Sequence, residues 1–377
     1  MRRDDKTIYS AVSTTHVETD TTTANPASRP GAATVSDVAR AAGVSTAVVS
    51  RVLNDDQGLR VRDDTRSRVR EAAERLRYTP NTSARSLRLA ASGAICMAVN
   101  DLSNPIHAAA LEGAQASAQR SGRVMLLADA DELSRHPERL RDMVASGRVD
   151  GMVMHLPGVE GDRRLRRIAE KHVPTVVINS SVRGAAGCVI LDDQAATDLA
   201  VRHLLELEHR EIGVITALAA SDRSRRRLQG VESRLSAAGL VLEPSHVIEA
   251  GFSVESGQRA GRTLLALRRR PTAVVVLNVM AAIGLLAACS EGGVAVPEEL
   301  SVIGLIDTWV CDHTVPPLTV VQMPIRELGA QAVELLADMI DGGPRRSLIV
   351  REPAPRLVLR SSTATLSNAP MRQDSHD

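Results

Sequence analysis

From Thr34 to Asn54 apolar residues recur at helical spacing in two short runs separated by a glycine. Val35, Val38 and Ala39 share one face of the first run. Thr34 stands before it as a candidate N-cap, and Asp37 lies in the first turn, where negative charge favours a helix N-terminus. Gly43 stops this helix where the chain must adopt a conformation costly for a residue with a Cβ. Val44 and Ser45 open the next helix as staple and cap, and Val49, Val52 and Leu53 then fall at core spacing. That leaves Thr46, Ala47, Ser50 and Arg51 facing outward from a short helix, a face that fits a DNA major groove. Any packed helical hairpin also needs a cap, a glycine and an apolar stripe, so the hairpin alone leaves the bland reading open. A third helical pattern follows from Val61, Pro80 breaks it, and a short segment begins at Asn81.

From Ala94 the pattern changes to apolar strands alternating with helices. The strands are Ile95 to Val99, Val124 to Ala128, Gly151 to Met154, Pro174 to Ile178, Ile212 to Ile215, Ala273 to Leu277 and Ser301 to Leu305, with helices at Ile106 to Ser121 and Pro137 to Ser146 among them. Strands apolar on both faces and separated by helices make doubly wound parallel sheets, so an α/β body is expected behind a small all-α head. Such sheets bind ligands beyond the carboxyl ends of their strands. The polar loops placed there are Asn100 to Pro105, Ala128 to Asp131, Asn179 to Arg183, Ser221 to Arg227, Asn278 to Met280 and Asp307 to Asp312. Residues 1–31 and 361–377 lack apolar periodicity and are read as disordered tails. The expected divisions are a head over 32–80, a linker over 81–91 and a body over 92–360.

Composition narrows the class. The chain has 377 residues, enough for two or three domains, and a net charge of +1. Between Thr34 and Leu89, however, eleven arginines stand against seven acids, a local surplus suited to phosphates, although arginine excess is also the mark of a solvated face. Cys96, Cys188, Cys289 and Cys311 show neither metal-ligand spacing nor the density of a disulfide scaffold, and are read as reduced core residues. The first twenty residues contain no apolar stretch of a signal peptide, and a cytoplasmic location is expected. The apolar run Ala273 to Cys289 is interrupted by Asn278 and is shorter than the ~20 residues of a membrane span. It reads as a strand and a helix.

Three motifs carry a resemblance. Asp37-Val-Ala-Arg-Ala-Ala-Gly-Val-Ser45, Val49-Ser-Arg-Val-Leu-Asn54 and Tyr78-Thr-Pro-Asn-Thr-Ser-Ala-Arg-Ser-Leu87 resemble the head of the LacI family of bacterial transcription regulators. Asn104-Pro105, Gly230, Arg270-Pro-Thr-Ala273, Val296 to Gly304 and Pro316-Pro-Leu-Thr319 extend the likeness to about Arg360. It implies a helix-turn-helix head, a hinge helix over Asn81 to Leu87, and a two-lobed, periplasmic-binding-protein-like body, crossed three times by the chain, that clamps a small molecule and dimerises. By the same resemblance Thr46, Ala47 and Arg51 read bases, Ser45, Ser50 and Asn81 contact phosphates, and Leu87 is a wedge in the minor groove. Double-stranded operator DNA, a sugar-like or other small polar effector and a second copy of the chain are the implied partners; no cofactor, metal or membrane is.

The sequence departs from the family at informative places. Val48 replaces a phosphate-contacting threonine, and Arg62 replaces a capping serine, a role Asp63 is expected to assume. Glu208 replaces a glycine, Asp193 an asparagine, and Val279 an aspartate. In the loop Gly304-Leu-Ile-Asp307, Ile306 takes the place of an aspartate that often binds sugar. Carried over, the effector contacts are Arg227, Asn278, Asp307, Asn104 and Trp309. Arg227 is read either as a bidentate ligand grip or as one of a row of surface arginines. Trp309 is read either as a ligand cover or as a packed lid residue. With Phe252 the single phenylalanine, ring stacking is not the expected binding mode. The losses point to an unusual ligand or to a regulator insensitive to one.

Two other classes compete. An α/β enzyme would need a catalytic constellation, and the chain has no phosphate-binding Gly-Lys-Ser/Thr loop, G-x-S-x-G elbow or H-E-x-x-H pair. His203 and His209, six apart in an expected helix, would lie on different faces. A solute-binding protein would leave the head unexplained. A repressor is the leading reading, with activation as its alternative.

Overall fold

The computed structural model describes residues 33–53, 58–78, 91–156, 162–181, 186–219 and 221–366. The chain divides into two compact units, Met1–Thr82 and Ser83–Asp377.

In the first unit, α1 (Val35–Ala42) and α2 (Thr46–Leu53) meet at Gly43, whose φ of 64° is the left-handed conformation expected of it. Thr34 and Asp37 form a reciprocal capping box: Thr34 Oγ1 accepts from the Asp37 amide at 3.3 Å, and the Thr34 amide donates to Asp37 Oδ2 at 2.9 Å. Val38, Ala39, Val49 and Val52 pack with Val69, Ala72 and Ala73 of α3 (Asp63–Arg75) into one core. Asp63 does not cap α3, contrary to expectation. It is already the first helical residue, so the cap falls to Arg62, whose side chain makes no capping bond. Asp63 and Asp64 act instead as charges near the positive end of the helix. Arg62→Ser supplies the missing acceptor and is expected to stabilise the head by about 1 kcal/mol. Hydrogen exchange at the Asp64 and Thr65 amides would slow; unchanged rates would show that water already caps them adequately.

The body begins with β1 (Ala94–Val99), α4 (Ile106–Arg120), β2 (Val124–Asp129), α5 (Ala130–Arg135), α6 (Pro137–Ala145), β3 (Gly151–His155), α7 (Asp162–His172), β4 (Thr175–Ile178) and β5 (Gly187–Leu191). It continues with α8 (Asp193–Glu206), β6 (Ile212–Thr216), α9 (Asp222–Ala237), β7 (Val247–Glu249), α10 (Val254–Leu265), β8 (Ala273–Val276), α11 (Val279–Glu291), β9 (Ser301–Leu305) and β10 (Thr319–Gln322). Last come α12 (Ile325–Ile340), β11 (Ser347–Val350) and β12 (Arg356–Val358). The strands form two sheets, β11-β5-β4-β3-β1-β2 and β12-β10-β9-β8-β6-β7, parallel throughout except for the β10–β12 pair. Each sheet is the centre of one lobe. The chain passes between lobes after β5, after β10 and after β11, so three crossings and discontinuous lobes are observed as expected.

Ala273 to Cys289 is β8 followed by α11, and no helix of the described residues is long and apolar enough to cross a membrane. All four cysteines are free and buried, and burial pushes the Cys96 thiol up to about 12 and Cys289 to about 11. Two helix pairs approach backbone to backbone. A Cβ on Gly113 of α4 would overlap the Arg326 carbonyl of α12, and one on Gly329 of α12 would overlap the Ala110 carbonyl of α4. Gly257 of α10 and Gly284 of α11 stand in the same reciprocal relation.

Three expectations need correction. Residues 361–366 are not a tail: Ser362 is buried, its Oγ donating to the Val302 carbonyl at 2.6 Å and accepting from the Thr319 amide at 2.8 Å. The backbone groups there are satisfied by the second lobe, as when the Leu366 amide donates to the Leu207 carbonyl at 2.9 Å. His209 is not on a helix, because α8 ends at Glu206 and Glu208 turns the chain with φ 68°, where the resemblance expects glycine. His209 instead bonds Thr272 and Ser301, at 2.9 and 3.1 Å. Finally, Ser221 to Arg227 is no loop: Ser221 is the N-cap and Asp222 to Arg227 the opening turns of α9.

Candidate nucleic-acid interface and ligand cleft

On the head, α2 buries Val49 and Val52 and leaves Ser45, Thr46, Ala47 and Arg51 exposed, with Ser50 half-buried beside them. Ser45 caps the helix, its Oγ accepting from the Val48 amide at 3.3 Å. Val48 is half-buried against the head's core, so its side chain packs where a threonine would offer a hydroxyl. Asn81, Leu87 and the expected hinge helix lie outside the described residues.

In the body, a cavity of about 80 Å³ lies between the lobes at the carboxyl ends of their strands. The first lobe contributes Asn100, Asp101, Asn104, Ile106, His107 and His155, and the second Arg223, Arg227, Phe252, Asn278 and Ile306. Of the expected effector contacts, Asn104, Arg227 and Asn278 therefore meet there. Asp307 and Trp309 do not line it. The Asp307 carboxylate is held by Arg360 at 2.9 Å, and Trp309 is 69% exposed beside His313, not packed as a lid.

Arg227 is also not a surface arginine. It is 2% exposed, with Nε on Asp193 at 2.7 Å and Nη1 on the Leu277 carbonyl at 2.6 Å. Asp193 is itself buried and takes Arg226 as well, at 2.7 Å. Asn278 caps α11, its Oδ1 accepting from the Met280 amide at 2.8 Å. Asn104 Oδ1 accepts from the Ile106 amide at 3.1 Å.

Sequence reasoning assigned no role to the cavity's other polar members. Arg223 reaches across the cleft to His155, Nη1 to Nε2 at 3.0 Å, and lies 5.0 Å from the centre of the Phe252 ring. His107 meets His155 edge to face at 4.9 Å. The available signals were slight: a histidine ending an apolar strand, and one arginine among several.

Burial, and after it the Arg223 guanidinium, holds both His107 and His155 below the ordinary imidazole range. In the unfolded chain these rings take up protons below about pH 6.5, whereas in the folded body they resist. Stability is therefore expected to fall as pH drops through that value. The decline should be shallower in His107→Gln/His155→Gln; a thermal-melting series from pH 5 to 8 with equal slopes would contradict this assignment.

The fold defines a chain with a helix-turn-helix head and a two-lobed body with a cleft between its lobes. The description "Bacterial regulatory proteins, lacI family" matches residues 34–81, and "Periplasmic binding protein-like domain" matches residues 201–363. The repressor PurR of Photobacterium profundum is 30% identical over 89% of this chain and 100% of its own length. A LacI family regulator structure from Mycobacterium smegmatis is 35% identical with TM-score 0.67, covering 72% of this chain and 100% of its own. The lac repressor dimer bound to operator and the anti-inducer ONPF is 27% identical with TM-score 0.73, covering 88% and 99%. The chain belongs to the LacI family and is a DNA-binding transcription regulator.

Proposed function

We propose that the protein is a cytoplasmic, non-enzymatic repressor that binds a palindromic operator as a homodimer, with a small molecule in the inter-lobe cleft setting its DNA affinity. The observation that carries the reading is the division of α2 into a buried apolar side and an exposed face of Thr46, Ala47 and Arg51. In this reading those three residues meet bases, Ser45 and Ser50 meet phosphates, and Asn81 and Leu87 serve as phosphate contact and minor-groove wedge. Asn104, Arg227 and Asn278 line the effector site.

The edge strand β2 supports dimerisation. Val124, Leu126 and Leu127 are exposed there, with Val124 62% accessible, an apolar stripe that a lone body leaves in water. The lac repressor neighbour is a dimer on its operator.

Arg51→Ala is expected to weaken operator binding by about 1–3 kcal/mol and to relax preference at one base position in each half-site. Binding titrations at two salt concentrations would show a nearly unchanged salt slope, since a base contact is lost and phosphate contacts remain. A uniform loss over all sequences with a shallower slope would assign Arg51 to the backbone instead.

A further inference from the structure

The cleft contains a buried positive charge that forms no ion pair among the described residues. Asp193 pairs with Arg226 and Arg227, and Asp222 with Arg225 and Arg226, but no ion pair among the described residues includes Arg223. Arg223 is only 8% exposed. Loss of hydration, and then the neighbouring Arg227 charge, pushes its guanidinium down to about 9 against the opposing pull of Asp193. A buried guanidinium without an anion is costly and is usually matched by one.

His155 adds a second, independent observation. Its Nε2 accepts from Arg223, so the proton of the neutral ring sits on Nδ1. That Nδ1 is buried with no hydrogen-bond partner, in a residue 8% exposed that lines the cavity. The oxygens of Asn104 and Asn278 are already engaged on backbone amides, which leaves both residues with amide hydrogens to offer. The buried polar groups facing Arg223 are therefore mostly donors; Asn100, whose buried Oδ1 has no partner, and the exposed Asp101 line the first lobe's side, and the apolar wall is Ile106, Phe252 and Ile306. The space of about 80 Å³ favours a short ligand.

We infer that the cleft's ligand is a short organic monocarboxylate, its carboxylate held between Arg223 and His155 and its apolar body against Phe252, Ile106 and Ile306. The inference rests on the cleft being the effector site. Ile306, where the resemblance expects a sugar-binding aspartate, fits this chemistry: it removes a negative charge that would repel the ligand and supplies apolar wall. Arg223 would then be retained for binding at the expense of stability.

The test uses the full-length protein and a series of straight-chain monocarboxylates from acetate to hexanoate, each beside its primary amide. Saturable binding by calorimetry, with a melting temperature raised by about 5 °C at a hundredfold excess over the dissociation constant, is expected for at least one acid and not for its amide. Arg223→Met is expected to abolish that binding while melting at the same temperature as the ligand-free parent or higher. Equal binding of the amide, no binding of any acid, or a less stable Arg223→Met protein would each overturn the inference. Parallel titrations with glucose and adenine separate the two levels of failure. Their binding in place of the acids leaves the effector site standing with a neutral ligand, whereas failure of every probe together with unaltered operator affinity removes the effector reading too.

Discussion

Replacing Arg227 with alanine is expected to destabilise the body by about 3 kcal/mol, at the lower end for breaking a buried ion pair. The guanidinium joins Asp193 to the Leu277 carbonyl, tying the start of α8 to the end of β8. Without it Asp193 Oδ1 loses its partner and the carbonyl loses its donor, both away from water. Arg226 still holds Asp193 Oδ2, which keeps the loss from being larger. Arg227→Lys restores charge but not two directed donors, and is expected to recover only part of the loss. Denaturant unfolding checks this. A loss below about 1 kcal/mol, a range typical of exposed pairs, would show that Arg227 has little part in the fold.

Gly329→Leu is expected to cost on the order of 4 kcal/mol, through a mechanism unrelated to charge. Leucine in the middle of a helix would by propensity alone gain up to about 1 kcal/mol over glycine. Here the Cβ would lie inside the Ala110 carbonyl, so α12 must move away from α4 and open the face that both helices present to the first lobe's sheet. The clash outweighs the propensity. Gly147→Ala is the comparison: its φ of 67° is strained for alanine but nothing stands within 4 Å, so only about 1 kcal/mol is expected. Similar melting temperatures for the two variants would mean that the helix pair yields easily.

The head was legible because its determinants are local. Thr34, Asp37 and Gly43 act within a few residues of themselves, and the spacing of Val38, Val49 and Val52 names its own buried face. The strands at Ala273 and Ser301 were legible because strands buried on both sides are apolar throughout. Short or edge strands carry less signal: β7, β11 and β12 have three or four residues each and exposed positions among them. The cleft was harder still. Asn104, Arg227 and Asn278 came from resemblance, whereas the pairing of Arg223 with His155 joins residues 68 apart across two lobes, and no spacing rule reports it. Asp307 illustrates the opposite error. Its place in the sequence suggested a ligand contact, but Arg360, 53 residues later, already occupies its carboxylate.

In vitro selection of the full-length protein on random duplex DNA, with Arg51→Ala and Leu87→Ala alongside, tests the central claim most directly. Enrichment of one palindrome with a flexible central step is expected, respecified by Arg51→Ala and weakened by Leu87→Ala. Enrichment of no sequence, or of a site that both variants select unchanged, would contradict it.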